Sequence, residues 1–267
     1  MKLKLLILFV LVLALSCKEN KNSNTVEDVD YRNEELDLTT SIYPDNISKV
    51  FDAHGGLDRW KQMQTLKFTM PKENGDEITI TDLKKRKSLI EMPGHTLGYN
   101  GENVWLDNKG DSKYQGKPGF YYNLMFYFYA MPFVLADDGI IYTDVEHLNF
   151  EGKTYPGIKI SYESGVGESP EDEYIVYYDS DTNQMVWLGY TVTYFTKEKS
   201  KEFHFIKYSN WQEVNGLILP ETLTWYGYEN NKPTEKQRDV KFSNVVLSEE
   251  KLDSGTFEKP ESAEFIE

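Results

Sequence analysis

Cysteine is nearly missing from this sequence. Cys17 is the single one among 267 residues, so no intramolecular disulfide can hold the fold. Positive charge is scarce too: 29 Lys and Arg stand against 44 Asp and Glu, for a formal net charge of -15 and a pI near 4.8. Without a basic footprint to neutralise phosphates, a nucleic-acid partner is disfavoured, and so is broad docking onto anionic lipid. The sequence fingerprints of common chemistries are missing as well. There is no P-loop, glycine-rich dinucleotide turn, GxSxG or HExxH. The four histidines, His54, His95, His147 and His204, are scattered without ligand spacing. No metal or cofactor is expected, and the chain reads as a binding protein rather than an enzyme. Carboxylate pairs such as Asp137-Asp138 or Glu171-Asp172 arise by chance at this content.

Two uncharged stretches stand out. The first lies in MKLKLLILFVLVLALSC, where Lys2 and Lys4 precede an apolar run from Leu5 to Leu15 that is short for a membrane span. Residues 1–16 read as a signal peptide. The ending Ala-Leu-Ser-Cys resembles the lipobox at which bacterial lipoproteins are cut and acylated, with Ala14 departing from the commoner Leu. Cys17 is then the lipidated residue, and the protein is anchored to a membrane rather than spanning it. Residues 17–44 are polar, acidic and poor in large apolar side chains, as a flexible tether requires.

The second stretch, KPGFYYNLMFYFYAMPFVLADD from Lys117 to Asp138, carries no charge between Lys117 and Asp137. Its length suits a membrane span. Pro118, Gly119, Asn123 and Pro132 break it, however, and tyrosines belong at membrane interfaces rather than in the hydrocarbon. Aromatic and Met side chains on all sides mean burial all round, or burial on one side and a greasy ligand on the other. Both a core helix and a lid or plug helix satisfy the pattern.

The body, residues 45–267, reads as a single domain. Asp45 or Asn46 can cap a helix with Ile47, Val50, Phe51 and His54 on one face. Gly55-Gly56 ends it, and Leu57 to Trp60 begin a second turn. From Leu66 the period changes to alternation, with Leu66, Phe68 and Met70, then Ile78 and Ile80, and short strands to Asp107. Strands resume from Ile140 and continue to Leu247, with Asn215-Gly216 as a hairpin turn and 229–235 as a loop. Everything after Thr65 reads as one sheet system interrupted once, by the aromatic segment.

Ala53-His54-Gly55-Gly56-Leu57 with Trp60, Tyr99-Asn100-Gly101-Glu102-Asn103-Val104-Trp105, Met131-Pro132-Phe133, and Trp211 to Pro220 occur in that order. Together they resemble a family of uncharacterised envelope lipoproteins similar to LolA/LolB-like lipoprotein carriers. The resemblance implies a mainly β fold: an open antiparallel half-barrel with an N-terminal helix and an aromatic lid or plug helix in its concave face. It also implies a hydrophobic interior that holds acyl chains, and it transfers no catalytic residue. The expected function is a lipid-anchored envelope protein, outer-membrane in location, that binds a lipid or another lipoprotein. Phe120, Tyr121, Met125, Phe128, Met131 and Phe133 are the expected ligand contacts. Two other readings stand beside it: an interaction lipoprotein with a filled core, and an envelope hydrolase using carboxylates or His54.

Overall fold

The computed structural model describes residues 43–137, 139–162 and 171–266. Residues 41–267 form one compact unit. The expected signal peptide, Cys17 and all but the end of the tether lie outside the described residues, as do Asp138 and residues 163–170 of ESGVGESPED, the stretch 163–172 that reads as a polar loop. The tether's last residues, Tyr43 and Pro44, are docked. Tyr43 packs edge-on against Phe51 at 5.4 Å and donates its hydroxyl to the Ala136 carbonyl at 2.9 Å.

Helix α1 (Asp45–Ala53) buries Ile47, Val50 and Phe51, as the spacing predicts. Its N-cap is Pro44, with no side-chain cap, so Asp45 sits inside the first turn instead, where a carboxylate complements the helix dipole. Gly55 and Gly56 both have positive φ, 100° and 84°, and turn the chain into α2 (Leu57–Gln62).

Strands β1 (Thr65–Met70), β2 (Glu77–Asp82), β3 (Ser88–Met92), β4 (His95–Tyr99) and β5 (Val104–Asn108) follow as a meander. Gly98 is obligatory here: a Cβ at that position would lie 2.2 Å from the Trp105 ring, which is buried and donates to the Phe257 carbonyl at 2.9 Å. The aromatic segment comes next. It is not one helix. It folds as α3 (Pro118–Tyr121), α4 (Leu124–Tyr129) and a 3-10 turn (Phe133–Ala136), with a cis Met131-Pro132 bond between the last two. Pro118 starts it, and Asn123 and Pro132 break it.

Strands β6 (Ile140–Phe150), β7 (Lys153–Tyr162), β8 (Tyr174–Tyr178), β9 (Met185–Tyr190), β10 (His204–Val214), β11 (Leu217–Glu229) and β12 (Lys232–Lys241) build a second meander. The expected Asn215-Gly216 hairpin joins β10 to β11, with Val214 opposite Leu217. The stretch expected as a loop at 229–235 is a tight turn: Glu229 pairs with Lys232 across Asn230 and Asn231, at φ 51° and 57°. Asn tolerates the left-handed conformation that such hairpins need. Strands β13 (Ser243–Ser248) and β14 (Glu264–Phe265) complete the chain.

The sheet system is double. One seven-stranded sheet runs β13-β1-β2-β3-β4-β5-β14 and the other β12-β11-β10-β9-β8-β7-β6, antiparallel throughout and neither closed on itself. The expected open, mainly antiparallel architecture is present. The single interrupted sheet is corrected to two sheets, because the last stretch that reads as strand, Asp239 to Leu247, breaks at Phe242 and the part after it crosses to pair with β1. One hydrophobic cluster unites Phe68 of β1, Ile206 of β10, Leu219 and Leu223 of β11, and Phe126 and Phe133 of the aromatic segment.

Strand β2 inverts the expected alternation. Glu77, Thr79 and Thr81 are buried at 1–2% exposure, while Ile78 and Ile80 are half-buried on the opposite face. The bulk on the inner side is supplied by the aromatic segment, so β2 needs no large residue there.

Candidate functional site

The aromatic segment is held by hydrogen bonds from both sheets. Tyr208 of β10, fully buried, donates to the Phe128 carbonyl at 2.7 Å, and Ser88 of β3 donates to the Tyr122 carbonyl at 2.9 Å. These bonds satisfy carbonyls that six-residue α4 and its flanks leave open. Phe128 then packs edge-on against Tyr190 at 4.9 Å and Trp225 at 5.8 Å, while the Trp225 indole donates to the Tyr190 hydroxyl at 3.1 Å.

Beside this lattice lies a cavity of about 290 Å3 with mainly apolar walls. Phe120, Tyr121, Met125 and Phe128, four of the six residues singled out in the sequence, line it. Met131 and Phe133 do not. Both are buried in the core, Phe133 stacked on Trp60 and edge-on to His54. The difference follows from the break at Pro132, which turns the chain away from the cavity.

Sequence reasoning missed the opposite wall: Met70 of β1, Tyr190 of β9, Val192, Trp225 of β11 and Val240 of β12. A signal was present in the uncharged stretch Met185 to Thr196, where the consecutive residues Tyr190, Thr191 and Val192 all reach the cavity.

Charge is placed at the edge of this space. Lys72 donates to both Glu77 and Tyr121, the latter at 3.2 Å, and the Tyr121 hydroxyl donates to Glu77 at 2.6 Å. Glu77 is thus a buried carboxylate with two charge-assisted or phenolic donors. Burial, and next the Glu77 charge, push the Tyr121 phenol well above its ordinary range, so it remains a donor. The Arg238 guanidinium lies over Trp225 at 4.8 Å. Asp172 accepts from both the amide and the hydroxyl of Thr193 at 2.7 Å. An apolar chamber bordered by Lys72 and Arg238 can take a hydrocarbon chain inside and a polar end at the rim.

His54 belongs to the scaffold. It is fully buried, the Met185 amide donates to its Nε2 at 3.1 Å, and its Nδ1 lies 3.0 Å from the Ile218 carbonyl. Accepting at Nε2 places the ring proton on Nδ1, which donates to Ile218. Desolvation pushes the pKa of this imidazole down to about 4, so it is neutral and joins α1 to β9 and β11. Among the described residues, no group of three or more His, Cys, Asp and Glu is placed to hold a metal ion.

The sequence profile of one family, described as a family of unknown function (DUF6503), matches residues 4–254. No curated protein matches the chain. Solved structures similar in fold include a DUF1329 family protein from Desulfovibrio piger, at 12% identity and TM-score 0.46, covering 80% of this chain and 98% of that one. Another is a LolA superfamily protein from Nitrosomonas europaea, at 10% identity and TM-score 0.46, covering 79% of this chain and 96% of that one.

Proposed function

We propose that this chain, which belongs to the family of unknown function DUF6503, is a cell-envelope protein anchored through a lipid on Cys17 that holds a hydrophobic ligand between its sheets. The ligand is the acyl part of a lipid or of another lipoprotein, and the protein binds it without turning it over. The supporting observation is the apolar cavity of about 290 Å3 walled by Phe120, Met125 and Phe128. At roughly 30 Å3 for a water-sized volume, that space takes about one short chain. Each methylene withdrawn from water contributes about 0.8 kcal/mol, enough for a chain of modest length to be retained.

The test compares lipids that copurify with the full chain and with Val192→Trp, using lipid extraction and mass spectrometry. Val192 is part-buried on the cavity wall, so an indole there fills the space without emptying the core. Both proteins carry the same anchor, and lipid gathered around the anchor cancels in the comparison. A stoichiometric lipid present in the parent and lost in the variant supports the carrier. Equal lipid in both overturns it in favour of an interaction lipoprotein with a filled core.

A further inference from the structure

A second cavity, of about 180 Å3, lies against the other side of α4. Phe126 and Tyr127 line it, whereas Met125 and Phe128 line the first, so one short helix separates the two. Its character is different. Its floor is a row of laterally paired residues, Thr81 of β2, Ser88 of β3 and Tyr99 of β4, which register places side by side on one face of the sheet. Lys85 and Arg86 of the β2–β3 turn form a wall.

That turn is the run Lys84-Lys85-Arg86-Lys87, four consecutive cations in a chain of net charge -15. A charge run is ordinarily a solvated face. Here Arg86 instead lies along the cavity wall, its side chain 28% exposed. Its guanidinium lies over Phe126 at 5.2 Å, and Nη2 grips both oxygens of Asp137 at 2.7 and 2.8 Å. Its Nη1 is buried and has no hydrogen-bond partner, and neither has the buried hydroxyl of Thr81. Arg86 also holds a left-handed backbone, φ 56°, within the tight β2–β3 connection.

Arg86 and Thr81, which both line this small cavity, each carry a buried donor without a protein partner. A buried guanidinium nitrogen left unbonded is among the more unfavourable arrangements in a protein, and it needs an oxygen. We propose that this cavity is a binding site for an oxyanion, a phosphate or carboxylate group, held by Arg86 Nη1 and the Thr81 hydroxyl with Lys85 adding charge at the wall. Asp137 orients the guanidinium through Nη2 and leaves Nη1 for the ligand. The site is independent of the hydrophobic cavity and does not rest on its occupant. Its ligand is either a free small anion or the anionic head of a single-chain amphiphile.

The experiment measures the Tm of the full chain against rising inorganic phosphate and, separately, octyl phosphate, in wild type, Arg86→Gln and Thr81→Val. Binding to the native state raises Tm saturably, whereas the salting-out effect of phosphate is unsaturable and common to all three proteins. Wild type is expected to show a saturable rise, with the half-maximal concentration about tenfold or more higher in Arg86→Gln, as loss of a charge-assisted bond implies. Thr81→Val removes a hydroxyl without changing shape. It is expected to raise Tm in anion-free buffer, by deleting an unsatisfied buried group, while weakening the anion response. A saturable response to both probes assigns a free anion. A response to octyl phosphate alone, weakened by both substitutions, assigns an amphiphile head. No saturable response in wild type, or one that Thr81→Val leaves intact, overturns the proposal.

Discussion

Trp60 and Phe133 lie face to face, their ring centroids 4.8 Å apart and their planes 9° from parallel. This stack ties α2 to the 3-10 turn that ends the aromatic segment, and Phe133 is almost fully buried. Phe133→Ala should therefore lower stability by about 3–5 kcal/mol, the usual range for an aromatic deleted from a core. The lipid content of the folded fraction should be unchanged, because Phe133 does not reach the cavity. Urea unfolding followed by Trp fluorescence measures the first, and mass spectrometry the second.

His54 predicts a pH dependence. Its pKa is about 4 in the folded chain against the ordinary histidine value of 6.5 in the unfolded one, so between these values the unfolded chain binds the extra proton. Stability is then full above about pH 6.5, falls as pH drops, and levels off near pH 4. The loss from this group is at most about 3 kcal/mol, at 1.36 kcal/mol per pKa unit. Urea midpoints measured from pH 7.5 to 4.5 should show this slope in wild type and a shallower one in His54→Gln.

The Glu77 carboxylate loses a donor in Tyr121→Phe. Because Glu77 is 2% exposed, water does not readily replace the phenol. The expected loss is about 1.5–3 kcal/mol, typical of a hydrogen bond to a charged group. Chemical denaturation checks it, and Tyr114→Phe, which makes no such bond to Glu77, serves as the control.

Gly98→Ala forces a methyl into the Trp105 ring. The indole must shift and its bond to the Phe257 carbonyl must break, at an expected total of about 1–3 kcal/mol. A red shift in Trp emission of the native protein would report the displacement, and an unshifted spectrum with unchanged stability would refute the reading.

Much of the architecture was legible because it is written in local signals. The Ile47, Val50 and Phe51 spacing, the paired glycines after His54 and the Asn215-Gly216 turn each act within a few residues. The inner face of β2 was not. Thr79 and Thr81 are buried, Thr81 beside Tyr122 and Phe126, which are distant in sequence, and alternation alone favours Ile78 and Ile80 as the inward pair. The site was half legible for the same reason. Phe120 and Phe128 stand in a conspicuous run, whereas Tyr190, Trp225 and Val240 come together only through sheet pairing. The run Lys84 to Lys87 was not singled out in the sequence, and its place beside a cavity depends on Arg86 meeting Asp137 across 51 positions.

Both edge strands of the first sheet come from the end of the chain. Strand β13 pairs along β1, and Glu264 and Phe265 pair with Leu106 and Trp105. Thr65 lies opposite Ser248, so the first strand made finds one neighbour only after nearly all the rest has been synthesised. Pairings of such long range form slowly, since loop closure precedes any reward from contact. Until then the backbone of β1 is an unpaired edge, the kind that joins other chains. A chain that stops short of Ser243 leaves the Leu66 to Met70 edge uncovered, and is expected to aggregate more readily than the whole chain.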